Sequence, residues 1–135
     1  MNRLMIVFAI VAASCKVSKN TEDTHSADNL VVTGPVMNSE LYRTPSKSFE
    51  IMFAELSGDT LMTRVSYSGG CSEHSFTLVA PEDRLVSDSK TELRIIHRSN
   101  DDYCDSTLVR DLKFNLTKIP LNSSKVTLKG YRGEL

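Results

Sequence analysis

From Phe49 onward, apolar and polar residues alternate in short runs of period two. Successive side chains of a β-strand point to opposite faces, so each run marks a strand with one buried face. Phe49, Ile51 and Phe53 alternate with Glu50, Met52 and Ala54. Leu61, Thr63, Val65 and Tyr67 share one parity, and Met62, Arg64 and Ser66 take the other. Phe76 and Leu78 continue the pattern, as do Leu93 and Ile95. Leu112, Phe114 and Leu116 alternate with Asp111, Lys113, Asn115 and Thr117, and Val126 and Leu128 with Lys125, Thr127 and Lys129. Turn signals separate the runs: Gly34-Pro35, Ser57-Gly58-Asp59, Gly69-Gly70, Pro81-Glu82-Asp83, Asn100-Asp101-Asp102 and residues 120–124. Ser57-Gly58-Asp59 predicts a three-residue hairpin loop with Gly58 at positive φ. Val36 to Tyr42 has room for one or two helical turns between Pro35 and Pro45. Closely spaced strands without intervening helical patterns predict an all-β domain: an antiparallel β-sandwich, immunoglobulin-like or similar, over residues 30–135. The strand order stays open.

The amino-terminal pattern is different. Met1-Asn2-Arg3 supplies a positive start, and Leu4 to Ala13 carries no polar side chain. That run is too short for a membrane-spanning helix, which needs roughly 20 residues, and has the length of a signal-peptide core. Ala12-Ala13-Ser14-Cys15 follows. The segment resembles the lipobox of bacterial lipoproteins, with Ala at position 12 where Leu is commonest. The resemblance implies a signal peptide over residues 1–14 and a lipid-bearing Cys15 as first mature residue. It also implies a cell-envelope location, lipid-anchored, facing the periplasm or the cell surface. Lys16 stands where aspartate commonly retains lipoproteins in the inner membrane, so the resemblance leans toward the outer membrane. An unmodified secretory signal cut near Ala13-Ser14 is the alternative. Lys16 to Asn29 has only Val17 and Ala27 as apolar residues, too little to offset the entropy of ordering. Residues 15–29 are therefore expected to form the lipidated cysteine and a disordered tether, with His25 a solvated linker residue.

Charge narrows the partners. Arg3 is the signal's only charged side chain, so 16 basic residues become 15 in the mature part, against 17 acidic. A near-neutral balance lacks the basic footprint of nucleic acid binding. Membrane contact is expected through the lipid anchor, with an envelope protein or a glycan as the open alternatives for a partner.

The chemistry-bearing residues concentrate in two segments, YSGGCSEHSF over 67–76 and HRSNDDYCD over 97–105. Gly69-Gly70 allows a sharp turn just before Cys71. His74 shares parity with Phe76 and Leu78, and His97 with Leu93 and Ile95, so both histidines are expected to face the core. The patterns GGCxxHxF and HxxxxDxC resemble a group of small bacterial lipoproteins, a resemblance that implies no activity. Three readings follow from the residues. In the first, Cys15 is consumed by lipid and export oxidises the remaining pair, Cys71 and Cys104, to a disulfide. Closing such a loop stabilises by about 3–4 kcal/mol in the chain-entropy model. In the second, Cys71, His74, His97 and Cys104 hold a tetrahedral Zn²⁺, although oxidation opposes free thiolates. In the third, the disulfide stands while His74 and His97 bind a metal or ligand with Glu73, Asp101 or Asp102.

Catalysis finds less support. No serine lies in a G-x-S-x-G elbow, and a Cys–His nucleophile needs a thiolate that escapes oxidation. The acidic pairs Glu82-Asp83 and Asp101-Asp102 fall in turns, where solvated charge is the default. The run from Asn100 to Asp105 lacks the spacing and glycine of an EF-hand loop. No tryptophan is available to stack on a sugar. The chain therefore reads as a non-enzymatic, lipid-anchored envelope domain without a cofactor, serving in binding or structure. The alternative is a metal-binding or metal-stabilised domain.

Overall fold

The computed structural model describes residues 32–82, 90–121 and 125–135. The expected signal peptide, Cys15 and the tether with His25 lie outside the described residues. Eight strands and one short helix follow in order: β1 (Val32–Thr33), β2 (Val36–Met37), α1 (Ser39–Arg43), β3 (Glu50–Ser57), β4 (Thr60–Gly69), β5 (His74–Ala80), β6 (Lys90–Ser99), β7 (Ser106–Asn115) and β8 (Lys125–Leu128). They form two four-stranded sheets, β1-β7-β4-β3 and β2-β5-β6-β8. The order differs from the ABED and CFG sheets of an immunoglobulin constant domain. The long ladders β3–β4, β4–β7 and β5–β6 are antiparallel. Three short pairings, β1 with β7, β2 with β5 and β6 with β8, are parallel.

The core lies between the sheets, where the predicted parities meet. Leu61 of β4 and Phe114 of β7 pack with Leu78 of β5 and with Leu93 and Ile95 of β6, all essentially without exposed surface. Along β4, Leu61, Thr63, Val65 and Tyr67 are buried while Met62 and Arg64 are exposed, as alternation predicts.

Three local features depart from the sequence pattern. The first is in β3. Ile51 pairs with Val65 and Phe53 with Arg64, so Met52 is an extra residue with no partner of its own. This β-bulge reverses the facing beyond it. Ala54 is 4% exposed and Phe53 47%, so Phe53 does not join Ile51 in the core. Secondly, Ser57 pairs with Thr60, and the hairpin loop is Gly58-Asp59, two residues rather than three. Gly58 takes φ 57° and Asp59 does not have positive φ, the sign pattern of a II′ turn that suits strand twist. Thirdly, the segment between the prolines divides. Val36–Met37 adds to the sheet edge, and the five-residue helix starts only after Asn38, whose side chain accepts from the Leu41 amide at 2.7 Å. The helix covers the outer face of the second sheet, where Tyr42 packs with Val79 and Ile96. This second contact explains the contiguous apolar stretches Leu78-Val79-Ala80 and Ile95-Ile96, which bury both faces of β5 and β6.

Candidate functional site

At one end of the sandwich the loop from β4 to β5 meets the loop from β6 to β7. Cys71 and Cys104 join them in a disulfide with Cα atoms 5.8 Å apart, 33 residues apart in sequence. The centre of the joint is Asp102, whose side chain is 3% exposed. Its Oδ2 accepts from the amides of Gly70 at 2.9 Å, Ser72 at 3.0 Å and Cys71 at 3.2 Å. Its Oδ1 accepts from the Cys104 amide at 3.0 Å. One carboxylate thus satisfies donors from both sides of the disulfide, in a loop where a β-ladder cannot supply acceptors. The Cys104 amide, then His74, then the Gly70 and Ser72 amides hold the Asp102 carboxyl well below the usual carboxylate range, against the opposing effect of burial.

The histidines continue inward from Asp102. His74, the first residue of β5, and His97, on β6, are 6% and 2% exposed. Both face the core, as their parity predicts. His74 Nε2 lies 2.8 Å from Asp102 Oδ2, and His74 Nδ1 lies 2.8 Å from His97 Nε2. His97 Nδ1 reaches the Ser48 carbonyl at 3.2 Å, and the His97 amide donates to Ser46 Oγ at 2.9 Å. Burial lowers the pKa of His97, opposed by the Ser48 carbonyl. Aromatic rings enclose the pair. The His97 ring stacks on Phe76 with centroids 4.5 Å apart and planes at 6°, and Tyr67 of β4 lies 4.7 Å from His74. The Arg110 guanidinium, from β7, donates to the His74 carbonyl at 3.0 Å and sits 5.9 Å from the rings of Tyr67 and Phe76.

The turn that allows this approach depends on glycine. Gly69 and Gly70 take φ 152° and 124°. A Cβ at Gly69 would collide with His74 Nε2 and lie 2.7 Å from Asp102 Oδ2.

The structure therefore brings together Cys71, His74, His97, Asp102 and Cys104. Glu73 and Asp101 stay outside as exposed residues, although the Asp101 carbonyl accepts from Ser72 Oγ at 3.1 Å. Ligand atoms of Cys71, Asp102 and Cys104 lie within 4.8 Å of one another, but the sulfurs are bonded together and offer no thiolate. All four imidazole nitrogens are engaged. The arrangement binds two loops and two sheets into one polar joint.

Sequence reasoning missed Ser46, Ser48, Tyr67's ring contact and Arg110. Ser46 and Ser48 lie 51 and 49 residues from His97 and act through a hydroxyl and a backbone carbonyl, which leave no local signature. A second feature, also unmarked in the sequence, is a cleft of about 300 Å³ lined by Tyr42, Arg43, Pro81, Glu92, Arg94 and Lys129. Within it Tyr42 donates its hydroxyl proton to Glu92, and Arg94 donates to the Tyr42 carbonyl.

No family model and no curated protein matches the chain. Among solved structures, it is similar to a NigD-like immunity protein from Bacteroides caccae, with a TM-score of 0.58 and 15% sequence identity. The match covers 73% of this chain and 52% of the other, so this chain spans about half the length of that protein. At that identity the likeness is one of fold.

Proposed function

We propose that the protein is a lipid-anchored module of the bacterial cell envelope, tethered through Cys15, whose β-domain serves in binding or structure and not in catalysis. The observation that supports this most is the polar joint. Its only acid, both its histidines and both its cysteines are occupied with one another or with backbone groups. A catalytic centre keeps a nucleophile or a coordination position open to its substrate, and a structural metal site needs ligand atoms not already bonded to one another. Here the same residue types tie loops together, which leaves function to the outer surface. The disulfide fits an oxidising compartment outside the cytoplasm, as the lipobox resemblance implies. A fold like that of an immunity protein is compatible with a binding role.

Two measurements on the full chain test the proposal. Cys15→Ser is expected to abolish lipid labelling and release the protein from the membrane fraction. Retention with continued labelling would overturn the anchor. The protein purified without reductant is expected to show no free thiol at Cys71 or Cys104 and no bound zinc. Two thiols with a stoichiometric metal would replace this reading with the metal-binding one. Co-purification from intact envelopes, compared between parent and Cys15→Ser, would then identify what the anchored domain meets.

A further inference from the structure

The polar joint contains more hydrogen-bonded contacts than two neutral imidazoles can serve. Asp102, His74, His97 and the Ser48 carbonyl form a row with three contacts, of 2.8, 2.8 and 3.2 Å. Both ends of the row only accept. The Ser48 end is a carbonyl, and the Asp102 end is a carboxylate already accepting from four backbone amides. Every donated proton must therefore come from the rings, one for each contact. Two neutral imidazoles carry one N–H each.

We infer that His74 and His97 together hold three N–H protons, so that one buried imidazolium charge belongs to the pair and makes the row from Asp102 to Ser48 a pH-sensitive latch. The alternatives each leave a contact with two lone pairs or two protons facing each other. With protons on His74 Nε2 and His97 Nε2, the bare Nδ1 of His97 faces the Ser48 carbonyl. With protons on both Nδ1 atoms, a bare nitrogen of His74 faces the ionised Asp102. With the outer two nitrogens protonated, two lone pairs oppose each other at 2.8 Å between the rings. Four protons would place two N–H groups against one another in that same contact. Three protons satisfy all contacts, with the charge on His74 and a neutral His97 protonated on Nδ1. The depressed basicity of buried His97 agrees with this assignment. The imidazolium and Asp102 then cancel, and a neutral cluster is what a buried site tolerates.

The surrounding charges do not supply another partner. Among the described residues, Arg110 reaches the pair from β7 and Lys47 from the segment before β3, and both oppose a further positive charge. Tyr67 faces it from β4 with its ring. Glu73 and Arg98, the chain neighbours of the two histidines, are exposed. Among the described residues, Asp102 supplies the negative charge that favours the third proton by direct contact, and the Ser48 carbonyl favours it at the other end of the row. Loss of that proton leaves one of the three contacts in the row, Asp102 to His74, His74 to His97 or His97 to the Ser48 carbonyl, without a shared proton.

The test is a long-range ¹H–¹⁵N spectrum of the histidine rings in the full chain, with His25 assigned by His25→Gln. It is recorded at about pH 7.5, one unit above the ordinary histidine value of about 6.5. The expected result is three N–H protons on the pair, with both nitrogens of one ring protonated. Two N–H protons, with both rings neutral, would overturn the inference. In Asp102→Asn the amide oxygen keeps the acceptor position facing the Gly70, Cys71 and Ser72 amides but carries no charge to balance an imidazolium, so the count is expected to fall to two, and a count of three in that variant would also overturn it. Should Asp102→Asn fail to fold, the parent supplies a second measurement. Its denaturation midpoint is expected to fall from about pH 6.5 to about pH 8.5, above the ordinary histidine value. In His97→Phe, which keeps a ring against Phe76, that fall is expected to disappear. A parent midpoint flat over this range, or an equal fall in His97→Phe, would overturn the latch.

Discussion

Gly69 and Asp102 show how closely single residues set the joint. A side chain at Gly69 meets both His74 and Asp102, and its φ of 152° is one that L side chains rarely adopt. Gly69→Ala is therefore expected to cost more than about 3 kcal/mol, beyond the usual range for single substitutions, as measured by denaturant unfolding. A cost below about 1 kcal/mol would mean that the turn can open without penalty. For Asp102 the direction of the pKa shift determines the pH dependence. Its folded value is depressed, so its contribution is complete above the unfolded value of about 3.9 and is lost as pH falls through the folded one. Asp102→Asn is accordingly expected to flatten the acid limb of the stability profile, and an unchanged acid limb would contradict the part Asp102 plays at the centre of the joint. His97, essentially without exposed surface, acts through its hydrogen bonds and its stacking on Phe76. His97→Ala is expected to cost about 1–3 kcal/mol, and chelator should not alter that cost.

At the scale of elements, the bulge in β3 and the disulfide between loops make separate contributions. Met52 is the unpaired residue, 55% exposed, so its deletion restores simple alternation with Ile51 and Ala54 still facing inward. That deletion is expected to cost about 1 kcal/mol or less, in the range of ordinary surface changes. Deleting Glu55 instead shifts Leu56 outward, and is expected to cost about 1.5–3 kcal/mol through lost burial. Similar unfolding midpoints for the two deletions would argue against the assigned register. The disulfide closes a separation of 33 residues, for which Cys71→Ala is expected to cost about 2–5 kcal/mol. Reductant should destabilise the parent by a similar amount and leave Cys71→Ala unchanged. A parent insensitive to reductant but unfolded by chelator would favour the zinc reading of the same residues.

The described residues form a sandwich whose two sheets share one core, with one short helix on an outer face. Circular dichroism of the full chain is expected to be dominated by strand, and a helix content above about a third, the average for globular proteins, would exclude this architecture. The described residues contain no helix long and apolar enough to cross a membrane. In the proposal of a lipid anchor, attachment to a membrane rests on Cys15, and the Cys15→Ser fractionation is the decisive measurement at this scale. The similar fold of a NigD-like immunity protein, at 15% identity, supports the architecture without assigning a partner.

The all-β class, the inward parity of β4 and β7, and the core-facing histidines were all legible in the residue pattern, because alternation is a local consequence of strand geometry. The pairing of Cys71 with Cys104 was legible too, from the cysteine count and the oxidising compartment that the lipobox resemblance implies. The bulge at Met52 was not. A β-bulge depends on how a neighbouring strand pairs, and Phe53 looks as suited to the core as Ile51 until Arg64 is seen opposite it. Nor could the sequence show that Asp102 accepts from four amides while Asp101, its neighbour, remains exposed. Which of two adjacent carboxylates turns inward is decided by the loop at Gly69–Ser72, about 30 residues away, as it closes over the disulfide. Local chemistry determined which groups were available for the joint. Only the tertiary structure decided that they would be used on one another, because contacts across 20 to 50 residues depend on the register of both sheets at once.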